Sequence, residues 1–150
     1  MCVIINIEER RYMAEETLKT RVLLVDDDAI LLEMYKERLE FAGYNVITAK
    51  NGEEALAKAT ETLPHVILLD IMMPKVNGFD VLNILRNTPE TKNIPVIILT
   101  ALTQDTHKKK GLEEGANDYV VKSETMPKEV LKKIEKVIAQ NKENLEKNSR

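Results

Sequence analysis

The chain has almost none of the residues that build thiol or imidazole chemistry. Among its 150 residues there is one cysteine, Cys2, and there are two histidines, His65 and His107, with no tryptophan. A single cysteine excludes an internal disulfide and a cysteine-built zinc site. Two histidines far apart in the sequence argue against an imidazole metal site or a serine-histidine hydrolase. Any metal site in this protein must therefore use oxygen ligands.

The sequence also lacks a long apolar run and an excess of positive charge. A membrane span needs about 20 consecutive apolar residues, and a signal peptide needs a basic stretch before its apolar core. Neither pattern occurs, so we expect a cytoplasmic protein with no membrane contact. The net charge is 22 − 25 = −3, whereas a nucleic-acid-binding surface normally carries clustered positive charge. The composition thus predicts no direct nucleic-acid partner.

The length and composition that remain are those of one globular domain. A chain of 150 residues with 43% hydrophobic and 31% charged residues buries one sizeable core. Residues 1–19 contain one short apolar run, Val3–Ile7, followed by charged residues. We interpret residues 1–19 as an N-terminal extension without a role, the alternative being a docking strand or partner-binding arm. Residues 20–150 are predicted to form the single domain, which ends in a long helix.

From residue 21 onward, apolar runs alternate with segments of helical periodicity. The predicted strands are Val22–Val25, Val46–Ile47, Val66–Leu69, Val96–Leu99 and Tyr119–Val121. The predicted helices are Leu31–Ala42, which stops at Gly43, and the segments at about 53–60, 79–86, 106–114 and 127–147. Continuous β-branched runs are typical of strands buried on both faces. Five strands alternating with five helices predict an α/β fold, a doubly wound parallel sheet with helices on both faces.

Polar side chains follow the predicted strands, at the edge where such sheets bind ligands. They are Asp26-Asp27-Asp28 after the first strand, Asp70 after the third, Thr100 after the fourth and Lys122 after the fifth. Carboxylates about 4 Å apart repel by roughly 4 kcal/mol at an effective dielectric of about 20, so the aspartates require a cation between them. Mg²⁺ suits such oxygen ligands and leaves positions open for phosphate oxygens. With a hydroxyl and an ammonium nearby, the site suits phosphoryl transfer to a carboxylate, which gives an aspartyl-phosphate.

Five motifs surround these residues in the order and spacing of one known family. They are Val25-Asp26-Asp27; Gly43-Tyr44-Asn45-Val46 with Ala49 and Gly52-Glu53-Glu54-Ala55-Leu56; Leu69-Asp70-Ile71-Met72-Met73-Pro74 with Gly78; Ile94-Pro95-Val96-Ile97-Ile98-Leu99-Thr100-Ala101; and Gly115-Ala116-Asn117-Asp118-Tyr119 with Lys122. Over about residues 21–138, the sequence resembles the receiver domain of bacterial two-component response regulators, such as the chemotaxis regulators. Each motif alone is weak evidence for the family, and the resemblance rests on the presence of all five in this order and spacing.

This resemblance implies a flavodoxin-like sheet in the strand order 2-1-3-4-5 and a role for each site residue. Asp70 would be the phospho-acceptor; Asp26, Asp27 and Asp70 would hold Mg²⁺ together with the backbone carbonyl of Met72; Thr100 and Lys122 would bind the phosphoryl group; and Thr100 and Tyr119 would form the switch. Two alternatives stay open at the level of single residues. Tyr119 also suits a half-buried strand position, and Met72 and Met73 also suit core filling.

The same resemblance implies a phospho-accepting signalling protein of a phosphorelay, which catalyses only its own phosphorylation and dephosphorylation. Its phosphoryl group would come from a histidine kinase or a phosphotransfer protein. No helix-turn-helix or catalytic motif follows the fifth helix. We therefore expect a stand-alone receiver that binds a downstream protein through its fourth helix, fifth strand and fifth helix. A phosphorylation-independent interaction scaffold on the same fold is the alternative.

Two other protein classes share parts of this pattern. A haloacid dehalogenase-type phosphatase also uses an aspartate nucleophile with Mg²⁺, but it carries a second acid where this chain has Met72. A flavodoxin-like flavin binder needs a phosphate-binding loop after the first strand. Here Asp26-Asp27-Asp28 would repel that phosphate, so both classes are disfavoured.

The sequence departs from the family pattern at Ser123 and His65. Ser123 stands where the family usually has proline, and a cis bond before a non-proline residue costs about 2.5 to 4 kcal/mol, so the isomer is left open. His65 replaces an acid and is interpreted as a surface or strand-entry residue, while His107 is predicted to be solvated. The family places Met72 and Leu102 beside the hydrolytic water, where apolar side chains cannot orient it. We therefore expect slow self-dephosphorylation.

Overall fold

A computed structural model describes residues 6–11 and 19–148 of the chain. Residues 7–11 form a short helical segment ahead of the main fold. The predicted N-terminal extension, residues 1–19, therefore lies partly outside the described residues. Its lack of a role stays a prediction.

Five strands and five helices alternate along residues 21–148. The strands are β1 (Arg21–Val25), β2 (Asn45–Ala49), β3 (Val66–Leu69), β4 (Val96–Thr100) and β5 (Asp118–Val121). The helices are α1 (Ala29–Phe41), α2 (Gly52–Thr62), α3 (Gly78–Arg86), α4 (Asp105–Glu113) and α5 (Pro127–Asn148), and a 3₁₀ turn spans Lys122–Glu124. All strand pairs are parallel, in the order β2-β1-β3-β4-β5. The predicted α/β class and the strand order implied by the resemblance are confirmed.

The central strands are buried on both faces, as their continuous apolar runs predict. Successive side chains of a strand point to opposite faces of the sheet. Leu24 and Leu68 accordingly join one core layer, which α1 and α5 cover. Leu23 and Leu69 join the other layer, which is covered mainly by α2 and α3. The sheet is thus a rigid, two-sided support for the residues at its carboxyl edge.

Strand β2 is longer than its apolar run suggests. It spans Asn45–Ala49 because each of its residues pairs in register with β1, from Arg21 opposite Asn45 to Val25 opposite Ala49. As an edge strand it is only partly buried, so polar residues are tolerated at its start. Pairing with β1 sets the length of β2, and the apolar periodicity of the sequence does not show that pairing.

Three helices begin with a side-chain cap beside the carboxyl edge of the sheet. The carboxylate of Asp28 accepts hydrogen bonds from the backbone N–H groups of Ile30 and Leu31. Asn51 caps α2 and Asn77 caps α3 in the same way. Such caps satisfy backbone donors that have no partner within the helix. The carboxylate of Asp28 therefore caps α1, whereas Asp26 and Asp27 do not cap a helix.

Helix α5 spans 22 residues. Val130, Ile134 and Val137 in its first half are buried against the sheet, whereas Leu145 near its end is 47% exposed. Charged residues occupy its outer face. Among the described residues, no helix is both long and apolar enough to cross a membrane.

Candidate functional site

Two buried carboxylates lie at the carboxyl ends of the adjacent strands β1 and β3. The backbone N–H of Asp26 donates to the carbonyl of Ala49, and that of Asp70 donates to the carbonyl of Val25, so the sheet itself holds both residues. Asp26 is 2% exposed and Asp70 is 4% exposed, whereas Asp27 faces solvent. Carboxylate oxygens of these three aspartates lie within 4.8 Å of one another. The structure thus brings the three predicted acidic residues together.

Lys122 reaches this acidic cluster from the 3₁₀ turn that follows β5. Its Nζ lies 2.6 Å from Oδ2 of Asp26 and 3.3 Å from Oδ2 of Asp70. The side chain crosses the end of β4 to do so, since β5 and β3 are not neighbours in the sheet. The Lys122–Ser123 peptide bond is trans. The lysine therefore meets both carboxylates without the cis bond that the family's usual proline would favour.

Burial and charge both act on the ionisation of the site. Burial raises the pKa of Asp26, the hydrogen bonds from Lys122 and the Asp28 backbone oppose this, and the charge of Asp70 adds to it. Burial lowers the pKa of Lys122, but its hydrogen bond to Asp26 and the charges of both buried carboxylates outweigh burial and raise it overall. Both pKa shifts favour the protonated form, mainly through burial at Asp26 and through the two neighbouring carboxylates at Lys122. The site has surplus negative charge for a cation to neutralise.

The donor set fits Mg²⁺. This ion prefers hard oxygen ligands, takes one or two carboxylates and keeps several waters. Carboxylate oxygens of Asp26, Asp27 and Asp70 cluster within 4.8 Å, and Asp27 is open to solvent. These residues would hold the ion. The backbone carbonyl of Met72 is the further ligand that the resemblance implies, and it stays a prediction.

Leu102 connects the two predicted switch residues. Thr100, at the end of β4, has no exposed surface, and its Oγ1 accepts a hydrogen bond of 3.4 Å from the backbone N–H of Leu102. The hydroxyl of Tyr119 donates to the carbonyl oxygen of Leu102 at 3.0 Å. Burial, and then the charge of Asp70, raises the pKa of the Tyr119 phenol, so the hydroxyl stays a donor. Tyr119 is 6% exposed and is more deeply buried than the half-buried alternative assumed.

An open groove adjoins the acidic cluster between the β3–α3 loop and α4. It has a volume of about 740 Å³ and is lined by Asp27, Met72 and Leu102, among others. Met72 is 57% exposed and so does not serve as core filler, whereas Met73 is buried in the core. The two apolar residues that the family places beside the hydrolytic water therefore share one surface with a predicted metal ligand.

Three other groove residues were not anticipated from the sequence. The ring of His107 stacks 6.3 Å from that of Phe79, and Nζ of Lys110 lies 4.5 Å from the centre of the Phe79 ring. This packing buries Nδ1 of His107, which has no hydrogen-bond partner among the described residues. The prediction that His107 is solvated is wrong for this side of its ring. The spacing of His107 and Lys110, three residues apart on one helix face, was the available signal.

This arrangement of sheet, acidic cluster and crossing lysine has counterparts among known proteins. The sequence profile of the response regulator receiver domain family matches residues 22–135. The chain belongs to this family. As a receiver, it is a phospho-accepting signalling domain of two-component systems and not an enzyme in the ordinary sense. The phosphatase and flavin-binding interpretations are thereby set aside.

The receiver is similar to parts of longer curated proteins. It is 43% identical over 123 residues to the probable transcriptional regulator ycf27 of Pyropia yezoensis, covering 82% of this chain and 49% of that protein. It is 48% identical over 102 residues to the transcriptional regulatory protein CpxR of Escherichia coli strain K12, covering 68% of this chain and 42% of that protein. The chain spans about half the length, or less, of these curated relatives.

One solved receiver structure is matched by this chain over nearly the whole length of the solved protein. The response regulator receiver domain protein (CheY-like) from Methanospirillum hungatei superposes with a TM-score of 0.78 at 28% identity, covering 84% of this chain and 98% of that one. The family assignment made from the motifs is therefore confirmed. The chemical roles of the individual site residues stay predictions.

Proposed function

We propose that this receiver accepts a phosphoryl group on Asp70 from the phosphohistidine of a histidine kinase or phosphotransfer protein. The observation that carries the proposal is the meeting of three carboxylates, whose oxygens lie within 4.8 Å of one another, with the ammonium of Lys122 at 2.6 and 3.3 Å from two of them. A carboxylate nucleophile and concentrated positive charge are what phosphoryl transfer requires.

The transfer itself is a substitution at phosphorus. A carboxylate oxygen of Asp70 forms the new P–O bond while the P–N bond to the donor histidine breaks, and the electron pair of that bond stays on the imidazole. Bound Mg²⁺ supplies positive charge to the phosphoryl oxygens. Lys122 would move from carboxylate to phosphoryl oxygen, and the Thr100 hydroxyl would donate to another. The backbone N–H of Met72, 3.2 Å from Oδ1 of Asp70, orients the nucleophile.

Exposed apolar side chains beside the site support docking of a histidine-bearing donor. Ile30 is 84% exposed and Met34 is 38% exposed on α1, whose first turn follows the acidic residues. Met126, 69% exposed, follows the turn that carries Lys122. Ile30 and Met34 lie four residues apart and so share one face of α1, and exposed apolar side chains on one face suit contact with a protein partner. The donor histidine must come within bonding distance of Asp70, so the donor domain is the partner that this location suits.

The output surface of α4, β5 and α5 belongs to the same proposal. Tyr119 links β5 to the segment before α4 through Leu102, so a change at Thr100 has a direct route to this face. Stand-alone action and the absence of nucleic-acid contact stay predictions, since the curated relatives are longer transcriptional regulators. A scaffold that works without phosphate is the second candidate, and it requires output binding that does not depend on Asp70.

Intact mass spectrometry after incubation with a small acyl phosphate tests the proposal. We expect the mass increase of one phosphoryl group in the presence of Mg²⁺, none in EDTA and none in Asp70→Asn. Asp28→Asn is the matched control, because asparagine also caps a helix and Asp28 lies outside the acidic cluster. A phosphoryl adduct that persists in Asp70→Asn, or that forms without metal, would contradict the assignment.

A further inference from the structure

A second cleft lies at the opposite edge of the sheet from Asp70. It is formed by the end of α3, the α3–β4 loop, the residues before β5 and the last turns of α5, and its volume is about 380 Å³. Its charged lining residues are Arg86, Lys92 and Lys147, and its other polar side chains are asparagines, Asn93, Asn117, Asn141 and Asn144. None of the described lining residues is a carboxylate.

Arg86 is held rigidly in this cleft by neutral acceptors. Its guanidinium donates to the backbone carbonyls of Gly115 at 3.0 Å, Lys92 at 3.2 Å and Ile94 at 2.6 Å, and to Oδ1 of Asn117 at 3.0 Å. Burial lowers the pKa of Arg86, and no charged neighbour contributes to that shift. A guanidinium stays ionised in proteins. Its positive charge is therefore fixed in place without a carboxylate partner among the described residues.

Around Arg86, the hydrogen-bonding capacity that remains consists of donors. Oδ1 of Asn117 accepts from the backbone N–H of Val96 at 2.9 Å as well as from Arg86. Because both partners are donors, the orientation of this amide is settled, and its NH₂ group remains to donate. The Arg86 guanidinium has five N–H groups and makes four hydrogen bonds. One N–H group therefore remains to donate. Neither Lys92 nor Lys147 has an ion pair within the described part of the chain.

We propose that this cleft binds a small phosphorylated molecule through its phosphate group. Three cations and a surplus of donors match a phosphate dianion, which carries only acceptors, and guanidinium groups suit phosphate geometry. The volume admits a body attached to the phosphate, and Asn93, Asn141 and Asn144 offer both donors and acceptors to it. A neutral or cationic ligand would leave the charges of Arg86, Lys92 and Lys147 unpaired.

The cleft is separate from the phosphorylation site. Asn117 precedes β5 and Lys122 follows it, and the five residue steps between them span roughly 17 Å in extended chain. A bound phosphate would connect the end of α5 to the loops before β4 and β5, because Lys147, Lys92 and Asn117 come from those three places. The ligand would therefore stabilise the far end of the proposed output surface without occupying the acceptor site.

Calorimetric and amide-shift titrations of the full chain in EDTA test the proposal, because EDTA removes the metal that phosphate needs at Asp70. The probes are inorganic phosphate, adenosine 5′-monophosphate and, as the uncharged control, adenosine. We expect saturable binding of at least the nucleotide, with shifts at Gly115 and Asn117. Tighter binding of the nucleotide than of phosphate identifies an organic body in the cleft, whereas equal binding identifies the phosphate group as the whole ligand; both outcomes support the proposal.

Matched lysine variants locate the binding. Lys92 and Lys147 are exposed, so Lys92→Gln/Lys147→Gln is expected to fold normally and to weaken phosphate-ligand binding by about tenfold, the effect of losing charge-assisted hydrogen bonds. Lys128→Gln/Lys142→Gln also removes two positive charges, but Lys142 lines a different groove and Lys128 does not line this cleft, so its effect should be under about twofold. Equal weakening by both variants, binding of adenosine alone, or no saturable binding of either phosphate probe overturns the proposal.

Discussion

At the scale of single residues, two apolar side chains line the groove beside Asp70, the proposed phospho-acceptor. Met72 is 57% exposed and Leu102 is partly buried, and both line the groove that Asp27 also lines. Neither side chain has a hydrogen-bonding group that can hold a water in line with the P–O bond. The carbonyl of Leu102 is already engaged by Tyr119.

We predict that polar replacements at these two positions shorten the lifetime of the phosphorylated state. Met72→Asn with Leu102→Glu should speed the loss of phosphate by about tenfold, which corresponds to about 1.4 kcal/mol in the barrier. The decay of the phosphorylated mass after donor removal measures this effect. Met126→Asn is the control, because Met126 is another exposed methionine but does not line the groove. Unchanged or slower decay in the double variant rejects the role of these side chains.

At the scale of elements, a glycine closes the β3–α3 loop against Asp70, the proposed acceptor. The backbone N–H of Gly78 donates to the carbonyl of Ile71 at 2.9 Å. A Cβ at this position would collide with the carbonyl oxygen of Asp70 and would lie 2.6 Å from Cα of Ile71. Both obstacles are backbone atoms, which cannot rotate away as a side chain can. The first turn of α3 therefore presses directly on the segment that presents the acceptor.

We predict that Gly78→Ala impairs both stability and phosphorylation. Displacing packed backbone should cost about 3 kcal/mol in the free energy of unfolding, and the shift of the Asp70 backbone should slow phosphoryl uptake. Gly43→Ala is the comparison, because Gly43 has a φ of 99° and open space around it. That variant should lose about 1 kcal/mol from backbone strain alone and phosphorylate normally. Denaturant unfolding and phosphorylation rates decide, and a normal rate in Gly78→Ala contradicts the argument.

The entry of strand β3 depends on a neutral histidine. Nδ1 of His65 accepts a hydrogen bond of 3.0 Å from the backbone N–H of Arg21, at the start of β1. Only the neutral imidazole can accept that bond. Burial first, and then the positive charges of Arg21 and Lys142, lower the pKa of His65. The interpretation of His65 as a strand-entry residue is confirmed, since it directly precedes β3.

We predict that this histidine makes stability fall on acidification. Its folded-state pKa lies below the unfolded value of about 6.5, so the unfolded chain takes up the proton first. The contribution to the free energy of unfolding is complete above about pH 6.5 and is lost as the pH falls toward the folded-state pKa. Urea unfolding between pH 7.5 and 5.5 should show this loss in the wild type and in His107→Gln, but less of it in His65→Gln. An identical pH dependence in His65→Gln rules the mechanism out.

At the scale of the whole molecule, one chain of contacts joins the proposed acceptor site to the proposed output surface. Thr100 accepts from the N–H of Leu102, and the carbonyl of Leu102 accepts from Tyr119. If the Thr100 hydroxyl turns toward a phosphoryl oxygen, the backbone of Leu102 loses one of its two partners. Reversing a 1:99 population requires about 5.5 kcal/mol of differential stabilisation. A phosphoryl dianion bonded to Lys122 and Thr100 is the available source.

We predict that beryllofluoride, a stable mimic of the phosphoryl group, shifts backbone amides throughout residues 100–135. Tyr119→Phe removes the hydroxyl that bonds Leu102, so the response in α5 should shrink while the response around Asp70 remains. Tyr44→Phe is the matched control, because it also removes one tyrosine hydroxyl, whereas the hydroxyl that bonds Leu102 belongs to Tyr119. Amide chemical-shift mapping measures all three proteins. The coupling model is wrong if the amide shifts in the wild type are confined to the surroundings of Asp70. It is also wrong if the α5 shifts are unchanged in Tyr119→Phe.

The sequence by itself determined the fold class and the three acids. Val22–Val25 and Val66–Leu69 are continuous apolar runs because strands of a parallel sheet are covered on both faces, and Asp26 and Asp70 directly follow them. Parallel strands bring their carboxyl ends to one edge of the sheet. Residues that directly follow different strands therefore lie close together in space. These features depend only on local pattern and on the direction of the strands.

The tertiary structure alone decided how the side chains pair across that edge and beyond it. Each of these contacts joins residues from separate segments. Lys122 crosses β4 to bond Asp26. Leu102 bonds both Thr100 and Tyr119, and loop carbonyls accept hydrogen bonds from Arg86. The burial of Nδ1 in His107 likewise depends on how α4 docks beside Phe79. Such contacts are set by side-chain rotamers and helix positions, which leave no periodic trace in the chain. Local hydrophobic pattern therefore specifies which elements form, whereas long-range packing specifies which of their polar groups meet.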